Sequence, residues 1–178
     1  MSGSGVAMDG GAGGSARTRA VAIAKRVARA REDGVERLTI NAITFLPKEA
    51  GYCARFVRQV HEAALGLPDH AWPYAGASAR EVEAKLRAAG KQIPADQRQP
   101  GDVVAFNRDW PGPYGHVAIY LGRDALGKDL VAEDGSNGVA INPIGSRAEH
   151  ISGWYAALPA SDAAPLAEAQ HIEAGAGA

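Results

Sequence analysis

Gly51–Val60 reads GYCARFVRQV and holds the only cysteine in the chain. Counted from Cys53, Phe56 lies three residues on, Val57 four, Val60 seven and Ala64 eleven. Those positions share one face of a helix. Arg55, Arg58, Gln59 and Glu62 fall off that face and are polar. The spacing predicts a helix from Gly51 to about Leu65, ended by Gly66 and Pro68. Cys53 then sits in the first turn, where two readings stand open. As the end of the apolar stripe it is a small buried core residue. At a helix N-terminus, unpaired N–H groups and a partial positive charge favour an anion, so it is a thiolate that needs a base.

Outward from this helix the chain divides in two. Upstream, Val21, Ile23, Ala24, Val27 and Ala28 form an apolar stripe in a helix from Ala16 to about Asp33, with Gly34 as its stop. Residues 39–45 (TINAITF) read as a short strand or an extended connection before Pro47. Ser78 with Glu81 three residues on forms a capping box for a third helix, which stops at Gly90. Downstream the signal changes to strands: residues 103–106 (VVAF), 116–121 (HVAIYL, ended by Gly122), 130–133 (LVAE) and 139–142 (VAIN). A last strand falls within residues 151–158, and residues 109–115 (DWPGPYG) form a rigid loop. Helices followed by a strand meander predict an α+β fold, with helices on one face of an antiparallel sheet.

The chain has 178 residues, of which 46% are hydrophobic, enough for one domain with its own core. Residues 1–15 and 161–178 are Gly-, Ser- and Ala-rich and are expected to be flexible tails. A net charge of −1 provides no field for nucleic acid, so no nucleic-acid partner is expected. One cysteine excludes an internal disulfide, and the absence of a CxxC or Cys/His cluster speaks against zinc, so neither a metal nor another cofactor is expected. No stretch approaches the roughly 20 apolar residues of a membrane helix, and the N-terminal residues lack the apolar core of a secretory signal. The expectation is a monomer made in the cytoplasm, with no membrane partner.

A base for Cys53 must come from five histidines. His61 lies two turns along the same helix and cannot reach back. His70 and His150 fall in polar connections and His171 in the tail. His116 opens a strand directly after Gly115, which leaves room beside the imidazole for a substrate. A third group orients such a base and stabilises its charged form. The next strand ends in Glu133 and Asp134, and adjacent strand residues point to opposite faces, so only one of them faces His116. Asn137, in the turn beyond, is a weaker choice.

The set GYCARFV, PGDVVAF, GHVAIYLG and VAED, in this order, resembles the NlpC/P60 superfamily, and most of all its CHAP branch of cysteine, histidine-dependent amidohydrolases/peptidases. The resemblance covers about Gly51 to Asn142. It implies a papain-like arrangement and a single catalytic domain over residues 16–160. It also implies Cys53 as nucleophile, His116 as base and then acid, and Glu133 as the orienting residue. Glu-Asp-Gly-Ser-Asn stands where relatives often carry Glu-Asn or Glu-x-Asn, so Asp134 stays open for the third role. The implied substrate is an amide bond of bacterial peptidoglycan, as in phage endolysins, autolysins or interbacterial toxins. Action at the cell wall then requires release or delivery by another system.

On this reading the Cys53 backbone N–H donates to the oxyanion, with the Tyr52 hydroxyl as a further donor of undetermined direction. Trp110 and Tyr114 either wall the substrate cleft or cover the sheet edge. Two rivals remain: a thiol acyltransferase on a related fold, disfavoured because Cys precedes His here, and a non-catalytic module that binds cell wall or protein.

Overall fold

The computed structural model describes residues 14–159, so both predicted tails lie largely outside the described residues. Helix α1 spans Ala16–Glu32 and starts where Ser15 Oγ accepts the Thr18 N–H. Its buried face is built from Ala20, Ala24 and Ala28 with Ile23 and Val27. Residues 39–45 are not one strand. Leu38–Ile40 (β1) and Ile43–Phe45 (β2) form an antiparallel hairpin. Both turn residues, Asn41 (φ 49°) and Ala42 (φ 64°), adopt positive φ, as a tight two-residue hairpin requires. Asn41 Nδ2 also donates to Ala63 O at 2.8 Å, which ties the hairpin to the next helix.

That helix, α2, spans Cys53–Leu65 and ends in a left-handed Gly66. Its apolar stripe is buried as expected, and so are Arg58, Gln59, His61 and Glu62 on the other sides. The polar residues survive burial because each has partners. Arg58 donates to Glu62 (2.7 Å) and Asp69 (2.6 Å), and Gln59 donates to Thr44 O (2.8 Å). His61 stacks on Trp72 at 4.4 Å and hydrogen-bonds Val57 O. Burial drives its pKa down to about 4, so it is a neutral core residue. Helix α3 spans Ala79–Ala88; Ser78 caps it, while Glu81 reaches back to Ala77 N rather than to Ser78.

The sheet contains Gln92–Ile93 (β3), Val103–Ala105 (β4), Val117–Arg123 (β5), Asp129–Gly135 (β6), Gly138–Pro143 (β7) and Gly153–Tyr155 (β8). Its order is β3-β8-β4-β5-β6-β7, antiparallel throughout. Strand β5 does not stop at Gly122. The register shifts between Tyr120 and Gly122, and the strand continues to Arg123; Gly122, at φ 97°, absorbs the irregularity.

Alternation along the strands sorts the two faces. Val103, Ala105, Val117, Ile119, Ala132 and Tyr155 join the core under the helices. Val104, Phe106, Ala118, Tyr120, Val131 and Trp154 form a second cluster on the far face. Carried on by the same alternation, His116 and Glu133 fall on the far face and Asp134 on the helix face. Between α3 and the sheet, the buried Glu83 carboxylate accepts from Tyr155, Ser152, Asn107 and Arg87. No helix among the described residues is long and apolar enough to cross a membrane.

Candidate active site

The segment entering α2 is fastened to the end of β6. Gly51, at φ 85°, donates its N–H to Gly135 O at 2.9 Å. At Gly138 a side chain would meet Pro47 O at 2.6 Å, so glycine permits the β6–β7 turn to close against the residues before α2. Tyr52 occupies the N-cap position with no side-chain capping bond, so its side chain does not occupy the first-turn N–H groups. Cys53 begins the helix there, half-buried and packed at the margin of the core. Both sequence readings of the cysteine therefore describe one residue: its neighbours are core, and its own position is at the cleft.

His116 lies just before β5 and is held on every side. Its C=O accepts the Phe106 N–H (2.8 Å), and its own N–H donates to Asn107 Oδ1 (3.1 Å). Trp110 stacks on the imidazole at 5.2 Å and 12°, and the Phe106 ring lies 5.8 Å away. Its Nε2 meets Glu133 Oε2 at 2.5 Å. That leaves Nδ1 for Cys53, whose side chain is near enough to favour the charged ring. Gly115 borders the two cavities beside Cys53, and its lack of a side chain also serves the packing on its other side. It has φ 72°, and a side chain there would collide with the Asn107 amide. The glycine makes space for the amide that holds His116.

Glu133 faces His116 and Asp134 does not. Glu133 Oε2 also accepts from Arg147 Nη1 (2.7 Å), and Oε1 accepts from Asn142 Nδ2 (2.9 Å). Burial pushes this carboxyl up, but the bonds and charges of His116 and Arg147 override it and hold its pKa at about 2. For His116, burial pushes the pKa down. Hydrogen bonds and charges from Cys53 and Glu133 outweigh it and raise the value to about 9. Around neutral pH the pair is an imidazolium on a carboxylate. Asp134 is also buried, with Oδ1 unpaired. Burial raises its pKa to about 6, against the lowering effect of Arg55 and the Tyr52 and Gly51 N–H groups. It sits under the segment that leads into Cys53.

Two open cavities meet at the cysteine. One, of about 830 Å³, is lined by Cys53, Trp110, His116, Glu133, Asn142 and Arg147, among others. The second, of about 700 Å³, runs past Tyr52, Arg55, Ser78 and Lys85. Cys53, Tyr114 and Gly115 line both, so a groove passes the sulfur on two sides. Trp110 lines the groove and also fixes His116, while Tyr114 is 70% exposed on its rim. Tyr52 is 51% exposed and lies under the Arg55 guanidinium, 4.1 Å from its ring centroid. His150 supports Trp110 edge-on, and His70 is exposed. Among the described residues no group of three or more His, Cys, Asp or Glu has a metal-holding arrangement.

Residues missed by the sequence reading complete the site. Asn107, Asn142 and Arg147 hold the His–Glu pair. Arg80, on α3, directs its guanidinium at the carbonyls of Pro113 (3.0 Å), Asn107 (3.2 Å), Gly112 (3.3 Å) and Trp110 (3.5 Å). The spacing VAIN put Asn142 on a strand beside Glu133's strand, which was a usable signal. Nothing in the pattern marked Arg147 or Arg80.

The model of the CHAP domain family matches residues 46–134, a span that takes in Cys53, His116 and Glu133 and leaves out α1, Asn142 and Arg147. A solved NlpC/P60 family protein from Bacillus cereus ATCC 10987 is similar at 22% identity and a TM-score of 0.40, over 60% of this chain. The match spans 32% of that protein's length. No curated protein matches the chain.

Proposed function

This chain belongs to the CHAP domain family, cysteine- and histidine-dependent amidohydrolases and peptidases, and from that premise we propose that it cleaves an amide bond of bacterial peptidoglycan with Cys53 as nucleophile. The observation that carries the proposal is the chain of contacts Cys53–His116–Glu133 at the meeting point of the two cavities.

The chemistry follows from that order. The Cys53 thiolate, paired with the His116 imidazolium, attacks the amide carbonyl. The Cys53 N–H at the start of α2 donates to the developing oxyanion. His116 protonates the leaving amine, which departs and leaves a thioester on Cys53. Water then attacks the thioester while His116 takes its proton, releasing the acid and the thiol. Glu133 holds the ring in the tautomer that points Nδ1 at sulfur and stabilises the imidazolium. Positioned acid–base catalysis of this kind contributes about 10²–10⁴-fold.

A groove open on both sides of the nucleophile suits a chain-like substrate cut at an internal bond. Residues 16–160 form the catalytic unit on this proposal, and its place of action is the cell wall. Mass spectrometry of purified peptidoglycan after digestion tests the substrate. New amino and carboxyl termini support an amidohydrolase. New reducing sugar ends, or no products, sink it.

A further inference from the structure

Three donors meet the Glu133 carboxylate, and two of them share one oxygen. Oε2 accepts both His116 Nε2 (2.5 Å) and Arg147 Nη1 (2.7 Å), while Oε1 accepts Asn142 Nδ2 (2.9 Å). Arg147 is itself fixed. Its Nη2 donates to Pro143 O (3.0 Å), and its guanidinium lies 5.3 Å from the centroid of Phe106, the ring that also flanks His116. It belongs to the 3₁₀ turn Gly145–His150, beyond the matched span 46–134.

We propose that Arg147 is a positioning residue, the outer counter-charge that fixes the Glu133 carboxylate against His116. The inference rests on the reading of Cys53 and His116 as thiolate and imidazolium. On that reading the charges alternate along the row: Cys53 negative, His116 positive, Glu133 negative, Arg147 positive. The row is neutral with Arg147 and carries −1 without it, around a carboxylate that is only 2% exposed. Charge left uncompensated at such depth is costly. Losing Arg147 therefore acts in one direction on the sulfur. The thiol must lose its proton from a cluster one positive charge poorer, and Glu133 takes up a proton more readily, weakening its support of the imidazolium.

The other groups near Glu133 do not replace this charge. Asn142 is neutral. Asp134 lies on the opposite face of β6, with Arg55 and Glu49 near it. His150 contacts Trp110 and not the carboxylate. Arg31 lines the cavity but spends its Nε on Asn137 O.

The test is the pH dependence of iodoacetamide alkylation of the full chain, with no substrate present. Cys53 is the only cysteine, so the rate reports one sulfur. Arg147→Met and Arg147→Gln are expected to move the acid limb up by about one pH unit, and Arg147→Lys to restore most of it. A purely structural role lowers the melting temperature without moving the limb. Coincidence of the Arg147→Gln and wild-type limbs, or an Arg147→Lys shift as large as that of Arg147→Gln, overturns the inference. If wild type fails to react below about pH 8, the thiolate reading itself falls, a result distinct from coincident limbs.

Discussion

His116 Nε2 and Glu133 Oε2 lie 2.5 Å apart, although 17 residues separate them in the chain. The sheet creates the contact: β5 begins at Val117 and β6 pairs with it antiparallel, so the residue before one strand meets a residue near the end of the other. Their neighbour Asp134 points to the other face. Glu133→Gln keeps the size of the side chain and loses the anion. It is expected to lower kcat/KM by about a hundredfold or more. Asp134→Asn is expected to cost less than tenfold by comparison (about 1.4 kcal/mol of barrier at most). Equal losses in steady-state assays of the two variants would reject Glu133 as the orienting group.

The raised His116 and lowered Glu133 pKa values set a window of stability. His116 moves from 6.5 to about 9, so its contribution is full below pH 6.5 and is lost as pH rises through 9. Glu133 moves from 4.5 to about 2, so its contribution is present above pH 4.5 and is lost as pH falls through 2. Cys53→Ala removes one of the causes that raise His116. The alkaline fall in melting temperature then still begins near pH 6.5, but is expected to be smaller and to end at lower pH than in wild type. Superimposable melting profiles across the alkaline range would show that Cys53 does not act on the imidazole.

Arg80 stitches four loop carbonyls to the start of α3, and the loop carries Trp110 onto His116. Arg80→Ala is expected to loosen the groove wall and raise KM several-fold, with a smaller fall in kcat. The outcome that counts against this is a fall in kcat alone.

Glu83 gathers four donors in a site only 6% exposed. Glu83→Ala leaves Tyr155 and Asn107 without their acceptor, while Ser152 keeps Ala105 O at 3.2 Å, and is expected to destabilise the fold by about 3 kcal/mol. Urea unfolding measures it. Because Asn107 also holds the His116 N–H, activity is expected to fall in the folded fraction as well. A stability change under about 0.5 kcal/mol would mean that water replaces the carboxylate.

The sequence was most legible where a local rule decided the outcome. The stripe behind Cys53, the Gly66 stop and the Ser78 cap each act within one helical turn, and the helices form where those signals stand. Strand parity limited the choice between Glu133 and Asp134 to one, but the choice itself depended on how β5 and β6 pair. The hairpin at Asn41–Ala42 was hidden because alanine seldom adopts positive φ, so no turn signal divided residues 39–45. The burial of Arg58, His61 and Glu62 was hidden because it is produced by Trp72 and Asp69, residues of a loop with no periodicity. The second role of Gly115 was hidden for a related reason: a glycine beside a histidine signals open space, and the sequence does not say that Asn107 packs against it as well.

The most direct measurement is the release of new amino termini from purified peptidoglycan by wild type and by Cys53→Ala, at equal concentration and with matching circular dichroism spectra. Wild type is expected to release them, and Cys53→Ala to be slower by at least about a thousandfold. Release by Cys53→Ala at the wild-type rate would contradict catalysis by Cys53.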